Sequence, residues 1–346
     1  MSSPSGARGV RLATRGSPLA LAQTAIVSEL LRARGVSVHP EAVVVRTEGD
    51  RRRDEDLERI GGQGVFVKDV QAAVLEGRAD VAVHSAKDLP PLTPDGLALV
   101  AVPQRADPRD VLVGATLDGL PPGALVATGS ARRRAQLADL RPDLGFVGLR
   151  GNMARRLERV EDGTVASVVA AAAALDRLGW QGRITQHLSL EQCLPQAGQG
   201  AIALECRRDD VRCRELLERI DVREDHRALD AERAFLRALG AGCRLPVGAL
   251  ARLAPGGDLL VLDGLLATGD GRVVVRAKLS GDEPHALGRS LALHLVRERG
   301  ASSLAEWAGS TDGTGGTGYT GGLDGTGGLG YTGGARHAHA AAPGVT

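Results

Sequence analysis

Two short stretches carry residues suited to catalysis. "HSAKDLP" (84–90) sets His84, Lys87, Asp88 and Pro90 within seven residues. Lys87 is a lysine in a chain where only Lys68 and Lys278 join it among 43 basic residues. An amine is therefore used where arginine is the rule. An aspartate among cations stays ionised, because positive charge lowers its pKa, and it can then stabilise a developing cation or move protons. The same residues also fit a plain Asp-Leu-Pro turn after a strand. "ALGAGCRLPVG" (238–248) places Cys243 among three glycines. Bare backbone leaves a thiol accessible, yet free cysteine commonly packs as a small hydrophobe, so a helix cap with an incidental thiol is the plainer alternative.

A third feature is arginine at strand ends. Arg15 and Ser17 follow the first strand pattern. "TGSARRR" (128–134) offers Thr128, then Ser130 as an N-cap, then Arg132 and Arg133. "LRGNMARR" (149–156) carries Arg150 and Arg156. Helix N-termini favour anions, and guanidinium groups fork onto carboxylates. Any one of these arginines fits an ordinary surface charge, but three junctions loaded alike predict a cleft for a polyanion. "GGQGVF" (61–66) lacks the lysine of a P-loop and does not fit GxGxxG, so it reads as a flexible segment. "QAGQG" (196–200) reads as a hinge.

The elements that must position these groups alternate. "VRLAT" (10–14) reads as a strand, followed by a helix with Ser17 as N-cap, Pro18 at its first position and Gly35 past its end. A strand at 42–46, a helix at 65–78 and a strand at 80–85 complete βαβαβ, which predicts a parallel sheet. "VAVPQRADPRD" (100–110) interrupts the pattern, and a second α/β series follows to about residue 179. "AIALEC" and "DDVRCRELLERI" read as a strand and a helix. From about Asp221 come a helix, a hairpin turning on Gly-Asp-Gly, and a closing helix near 284–299.

Composition narrows the function. The 346 residues are 43% hydrophobic but 2% aromatic, so the cores are aliphatic, as suits α/β layers. A net charge of +1 argues against general binding to nucleic acid or membranes. Cys193, Cys206, Cys213 and Cys243 show no metal-ligand spacing, so no metal is expected, and they read as reduced thiols. Neither a signal-peptide core nor an apolar run of membrane-spanning length is seen. A cytoplasmic protein is the expectation. The Gly/Thr-rich stretch 309–346 is expected to be disordered.

Taken together, "ATRGSPLALAQ", "HSAKDLP", "TGSARRRAQL", "LRGNMARRL", "LPQAGQGAIALECR" and "AERAFLRALGAGCRLPVG" resemble, in order and spacing, the porphobilinogen deaminases (hydroxymethylbilane synthases) over roughly residues 8–300. The resemblance implies two α/β domains like type II periplasmic binding proteins, plus a smaller α+β C-terminal domain. The limits expected are 8–103 completed by 200–220, 104–199 and 221–308. It implies a dipyrromethane cofactor joined by a thioether to Cys243, and four porphobilinogen units coupled with release of ammonia to give linear hydroxymethylbilane. It implies Asp88 as the catalytic aspartate and also as a cofactor-binding residue. Lys87, Ser17, Thr128, Ser130, Arg132 and Arg133 match cofactor-binding positions, and Arg15, Arg150, Arg156 and Arg177 substrate-binding ones. A monomer is expected. Gln63 and Arg59 stand where many members carry lysine, and Gly129 replaces a serine of the usual "TSS".

Two other readings use the same residues. A non-catalytic two-domain carboxylate binder would leave Cys243 unused, and a carrier of the periplasmic type needs an export signal. A nucleic-acid binder conflicts with the balanced charge and scarce aromatics.

Overall fold

The computed structural model describes residues 9–39, 41–46, 67–240 and 246–298. Cys243, Arg59, Gln63 and the Gly/Thr-rich stretch lie outside the described residues, as does the end of the closing helix.

Along the chain, β1 (Leu12–Arg15), α1 (Pro18–Ala33), β2 (Val43–Val45), α2 (Lys68–Leu75), β3 (Val81–Ser85) and β4 (Leu97–Ala101) come first. Then follow β5 (Asp110–Gly114), β6 (Leu125–Ala127), α3 (Ala131–Leu140), β7 (Gly145–Val147), α4 (Met153–Glu161), β8 (Ser167–Ala171), α5 (Ala172–Arg177) and β9 (Gln186–His187). The chain closes with β10 (Ile202–Arg207), α6 (Val211–Glu218), α7 (Arg223–Ala238), β11 (Val247–Leu253), β12 (Leu260–Ala267), β13 (Val274–Gly281) and α8 (Pro284–Leu293).

Local signals set many of these boundaries. The Ser17 hydroxyl accepts from the Ala20 amide, Pro18 stands in the first turn, and Gly35 leaves the helix at a φ of 74°. Ser130 and Asn152 likewise cap α3 and α4 through the amides of Arg133 and Arg155.

Two five-stranded sheets have corresponding strand orders, β2-β1-β3-β10-β4 and β7-β6-β8-β5-β9. The parallel sheet expected from βαβαβ is corrected to a mixed one. β1, β2 and β3 are parallel, but β10 inserts antiparallel between β3 and β4, with Ala203 opposite His84. In the second sheet β5 is the antiparallel member, paired with β8. The physical reason is exchange: each sheet receives one strand from a segment that crosses between the two, so local alternation does not report its direction. The supposed interruption at 100–110 contains the end of β4, a crossover and the first residue of β5.

Both faces of each sheet are covered. Leu12 packs with Val27, Leu31 and Leu204, whereas its neighbour Ala13 packs on the other face with Val70 and Val74. Truncating Leu204 to alanine would cost about 2–5 kcal/mol, because its site is fully enclosed. The third sheet is antiparallel, β11-β12-β13, with α7 and α8 packed over it around Phe235, Leu262 and Leu291. β11 was hidden in "VGALARL", whose glycine and alanines weaken a strand pattern. No described helix is long and apolar enough to cross a membrane.

Candidate active site

Three strand-to-helix junctions of the first two sheets supply the site. After β1 come Arg15 and Ser17. After β3 the chain makes one 3-10 turn, Ala86–Asp88, that presents Lys87 and Asp88. After β6 come Thr128, Ser130 and α3. The first two junctions meet in a pocket of about 50 Å³ lined by Arg15, Ser17, Gln23, His84, Ser85 and Asp88. Gln23 is buried, and its Nε2 finds no hydrogen-bond partner among the described residues. A buried donor without an acceptor suits a ligand carboxylate.

The third junction is built differently from the expected open clamp. Arg132 and Arg133 are both buried, and both turn onto Asp110 at the start of β5. The Arg132 Nη1 and Arg133 Nη2 atoms lie 2.7 Å from the Asp110 Oδ2 and Oδ1 atoms respectively. Arg132 Nη1 also donates to the Leu194 carbonyl at 2.6 Å, and Arg133 Nη1 donates to that of Val169 at 3.1 Å. Burial opposes charge on Asp110, but the two guanidinium groups outweigh it and hold the carboxyl far below its usual range. The knot still has a loose end, since Arg132 Nε is buried without a partner among the described residues. Thr128 and Ser130 serve the local backbone: Thr128 Oγ1 accepts from the Ser130 amide, and Ser130 Oγ accepts from that of Arg133.

The "QAGQG" segment returning from the second sheet joins these parts. Gln199 Nε2 donates to Asp110 Oδ1 and to the Pro108 carbonyl, both at 2.8 Å, while its Oε1 faces Lys87 Nζ at 3.4 Å. Gly198 has a φ of +74°, and a Cβ there would meet Ala86 C and Lys87 N at 2.8 Å. Only glycine allows this segment to press on the Lys87 turn. Buried Glu232 of α7 holds the same region: its carboxylate accepts from Arg105 Nη1 at 2.6 Å, from the Gly198 amide at 2.6 Å and from the Ala251 amide at 2.8 Å. One side chain of the third unit thus grips both crossovers.

Cations crowd this cleft. Burial, then Arg133, pulls the Lys87 ammonium down to about 8, with Asp88 and Asp110 opposing. Burial, then Arg133 and Arg150, lowers Arg156 to about 10, with Asp88 opposing. Like charges held this close lower one another's pKa, and added carboxylates would relieve them. Arg177 sits apart from the knot. Its Nη2 donates to the Gly200 carbonyl at 2.6 Å, and burial lowers it to about 10. Lys87, Asp88, Arg150 and Arg156 therefore share one electrostatic neighbourhood drawn from both sheets, with Arg15 beside Asp88 in the pocket and Arg132 and Arg133 buried within it.

Several partners escaped sequence reasoning. Asp110 lay in a segment read as an interruption, and Gln199 in one read only as a hinge. Behind the pocket, His84 Nε2 lies 3.1 Å from Glu205 Oε2, and Gln71 Nε2 donates to the same oxygen at 2.8 Å. The usable signal was period two: in "AIALEC" a charged residue occupies a strand position flanked by apolar ones, which requires a buried partner.

Comparison with known proteins places the chain in a family. Residues 10–215 match the family model described as "Porphobilinogen deaminase, dipyromethane cofactor binding domain", and residues 227–297 match "Porphobilinogen deaminase, C-terminal domain". A porphobilinogen deaminase of Acidithiobacillus ferrooxidans is 45% identical over 304 residues, covering 86% of this chain and 97% of the relative. That of Syntrophus aciditrophicus is 43% identical over 292 residues, covering 83% and 95%. A solved VFT2 domain of Bordetella pertussis BvgS aligns with 65% of this chain and 91% of its own at 20% identity and a TM-score of 0.37. Match lengths and identities of this size are shared by descent, and the chain belongs to the porphobilinogen deaminase family.

Proposed function

We propose that the protein is a hydroxymethylbilane synthase, joining four porphobilinogen molecules head to tail onto a dipyrromethane primer and releasing ammonia at each step. The observation that carries this reading is the placement of Asp88 in a pocket with Arg15, within electrostatic reach of Arg156 from the other sheet. Each pyrrole brings carboxylate side chains for the cations and a leaving amine whose departure creates positive charge beside an aspartate.

The residues fit a dipyrromethane group. Gln23 Nε2 and Arg132 Nε are buried donors without partners among the described residues, and the cleft holds more cations than carboxylates. When bound, that group supplies the terminal pyrrole to which the first substrate is joined. Its covalent attachment is assigned to Cys243 as a thioether, supported by the family match and by the bare glycine loop.

In this reading Arg15, Arg150, Arg156 and Arg177 bind substrate acetate and propionate groups. Lys87, Ser17, Thr128, Ser130, Arg132 and Arg133 hold the cofactor, the last two through the field of their salt-bridged groups and, for Arg132, through its unpartnered Nε. Asp88 assists loss of ammonia, stabilises the cation that forms on the pyrrole through its N–H, and takes up the proton that leaves the attacked α-carbon as each bond forms. The domain limits proposed are 8–103 with 200–220, 104–199 and 221–308; membership of β10 in the first sheet supports the return of the chain. We assign the protein to the cytoplasm as a monomer, and the free, buried thiols of Cys193, Cys206 and Cys213 accord with a reducing compartment.

The test is turnover: incubation with porphobilinogen should release ammonia and yield a product that closes chemically to uroporphyrinogen. Binding of porphobilinogen with no ammonia released would instead fit a carboxylate-binding protein.

A further inference from the structure

A second basic groove lies between the edge strand β4 and helix α7, and it shares no lining residue with the Asp88 pocket. Its volume is about 530 Å³, within the range of small-molecule sites. On α7, His226, Asp230, Arg233 and Arg237 fall on one stripe at helical spacing. Arg208, just after β10, and Arg214, on α6, complete the wall.

Arg233 is the centre of the argument. It is 7% exposed, its Nη2 donates to Thr93 Oγ1 at 3.2 Å, and its Nη1 is buried without a partner among the described residues. Burial lowers its pKa although the charges of Glu205 and Asp230 oppose that shift. Glu205 is shared with His84 and Gln71, and burial pushes the Asp230 carboxyl up against the charges of His226, His285 and Arg233. His226 is held by Asp221, with Nδ1 at 2.9 Å from Oδ1. A buried guanidinium with an unmet donor, faced by three further arginines, is costly unless an anion completes it.

We propose that this groove is a binding site for a small organic polyanion bearing two or more carboxylate or phosphate groups. The groove is too roomy to be filled by one inorganic phosphate, and guanidinium forks on two helices and a strand end suit separated anionic groups. The site is distinct from the cleft and does not depend on the activity proposed above.

Calorimetric titration of the full-length protein at about 0.15 M salt, with citrate, pyrophosphate and inorganic phosphate as probes, tests it. Citrate or pyrophosphate should bind one to one and more tightly than inorganic phosphate, and whichever binds tighter identifies carboxylate or phosphate as the preferred group. The Arg208→Ser, Arg214→Ser double variant alters exposed side chains only and should weaken binding about tenfold or more. The Arg15→Ser variant, which alters the cleft, should leave it unchanged. Absence of saturable binding, or loss in Arg15→Ser with none in the double variant, would overturn the proposal.

Discussion

Lys87 donates from Nζ to Gln199 Oε1 at 3.4 Å, so the amine presented by the first sheet is tied to the segment returning from the second. Gln199 also donates to Asp110. The position of the amine is thereby linked to the buried arginine–aspartate knot, and movement of one sheet against the other is felt at Lys87.

The charge state of this amine should show in the pH profile. Lys87 titrates at about 8 through burial and neighbouring Arg133, so it is protonated below that pH and neutral above it. A neutral amine no longer attracts carboxylates, and kcat/KM reports groups of the free enzyme. For porphobilinogen, kcat/KM should fall as pH rises through about 8. In Lys87→Arg the guanidinium stays charged, and that limb should move to roughly pH 9 or above. An unmoved limb would assign it to another group.

Asp88→Asn keeps the shape of the 3-10 turn and removes the carboxylate. Turnover should fall by about 10²–10⁴-fold, the usual worth of a positioned acid–base group, with the melting temperature close to that of the parent. Activity near the parent level would remove Asp88 from the chemistry.

Asp110→Asn should act on stability first. It leaves Arg132 and Arg133 buried with no counter-charge, a loss of about 3–5 kcal/mol in urea unfolding near neutral pH. The pH dependence follows in sign. A carboxyl held below its usual range stabilises the fold above the ordinary carboxylate pKa of about 3.9, and that contribution is lost as pH falls through the folded value. The parent should therefore lose stability steeply below about pH 4, and the variant less so.

Local chemistry was legible where one residue acts on its neighbours. Ser17, Pro18 and Gly35 bound α1 as their types dictate, and Ser130 caps α3. Partners distant in sequence were not. Nothing in "TGSARRR" tells that Arg132 and Arg133 close on Asp110, because opposite charges 22 and 23 residues apart can pair with anything the fold brings near. The antiparallel entry of β10 was hidden for the same reason: hydrophobic alternation marks a strand but not its neighbour or direction.

Gly198→Ala tests the contact between the return segment and the Lys87 turn. The left-handed backbone alone costs a non-glycine residue about 1–2 kcal/mol, and the added Cβ would press on Ala86 and Lys87. Stability should drop by at least that much, and kcat should fall with it as the turn shifts. A variant as stable and active as the parent would show that the turn does not depend on this packing.

The most direct test of the central claim is the intact mass of the protein purified from cells that make porphobilinogen. The mass should exceed that of the polypeptide by one dipyrrole, the adduct should map to Cys243, and Cys243→Ser should lack it. An unmodified chain that nonetheless turns over porphobilinogen, or an adduct retained in Cys243→Ser, would contradict the account.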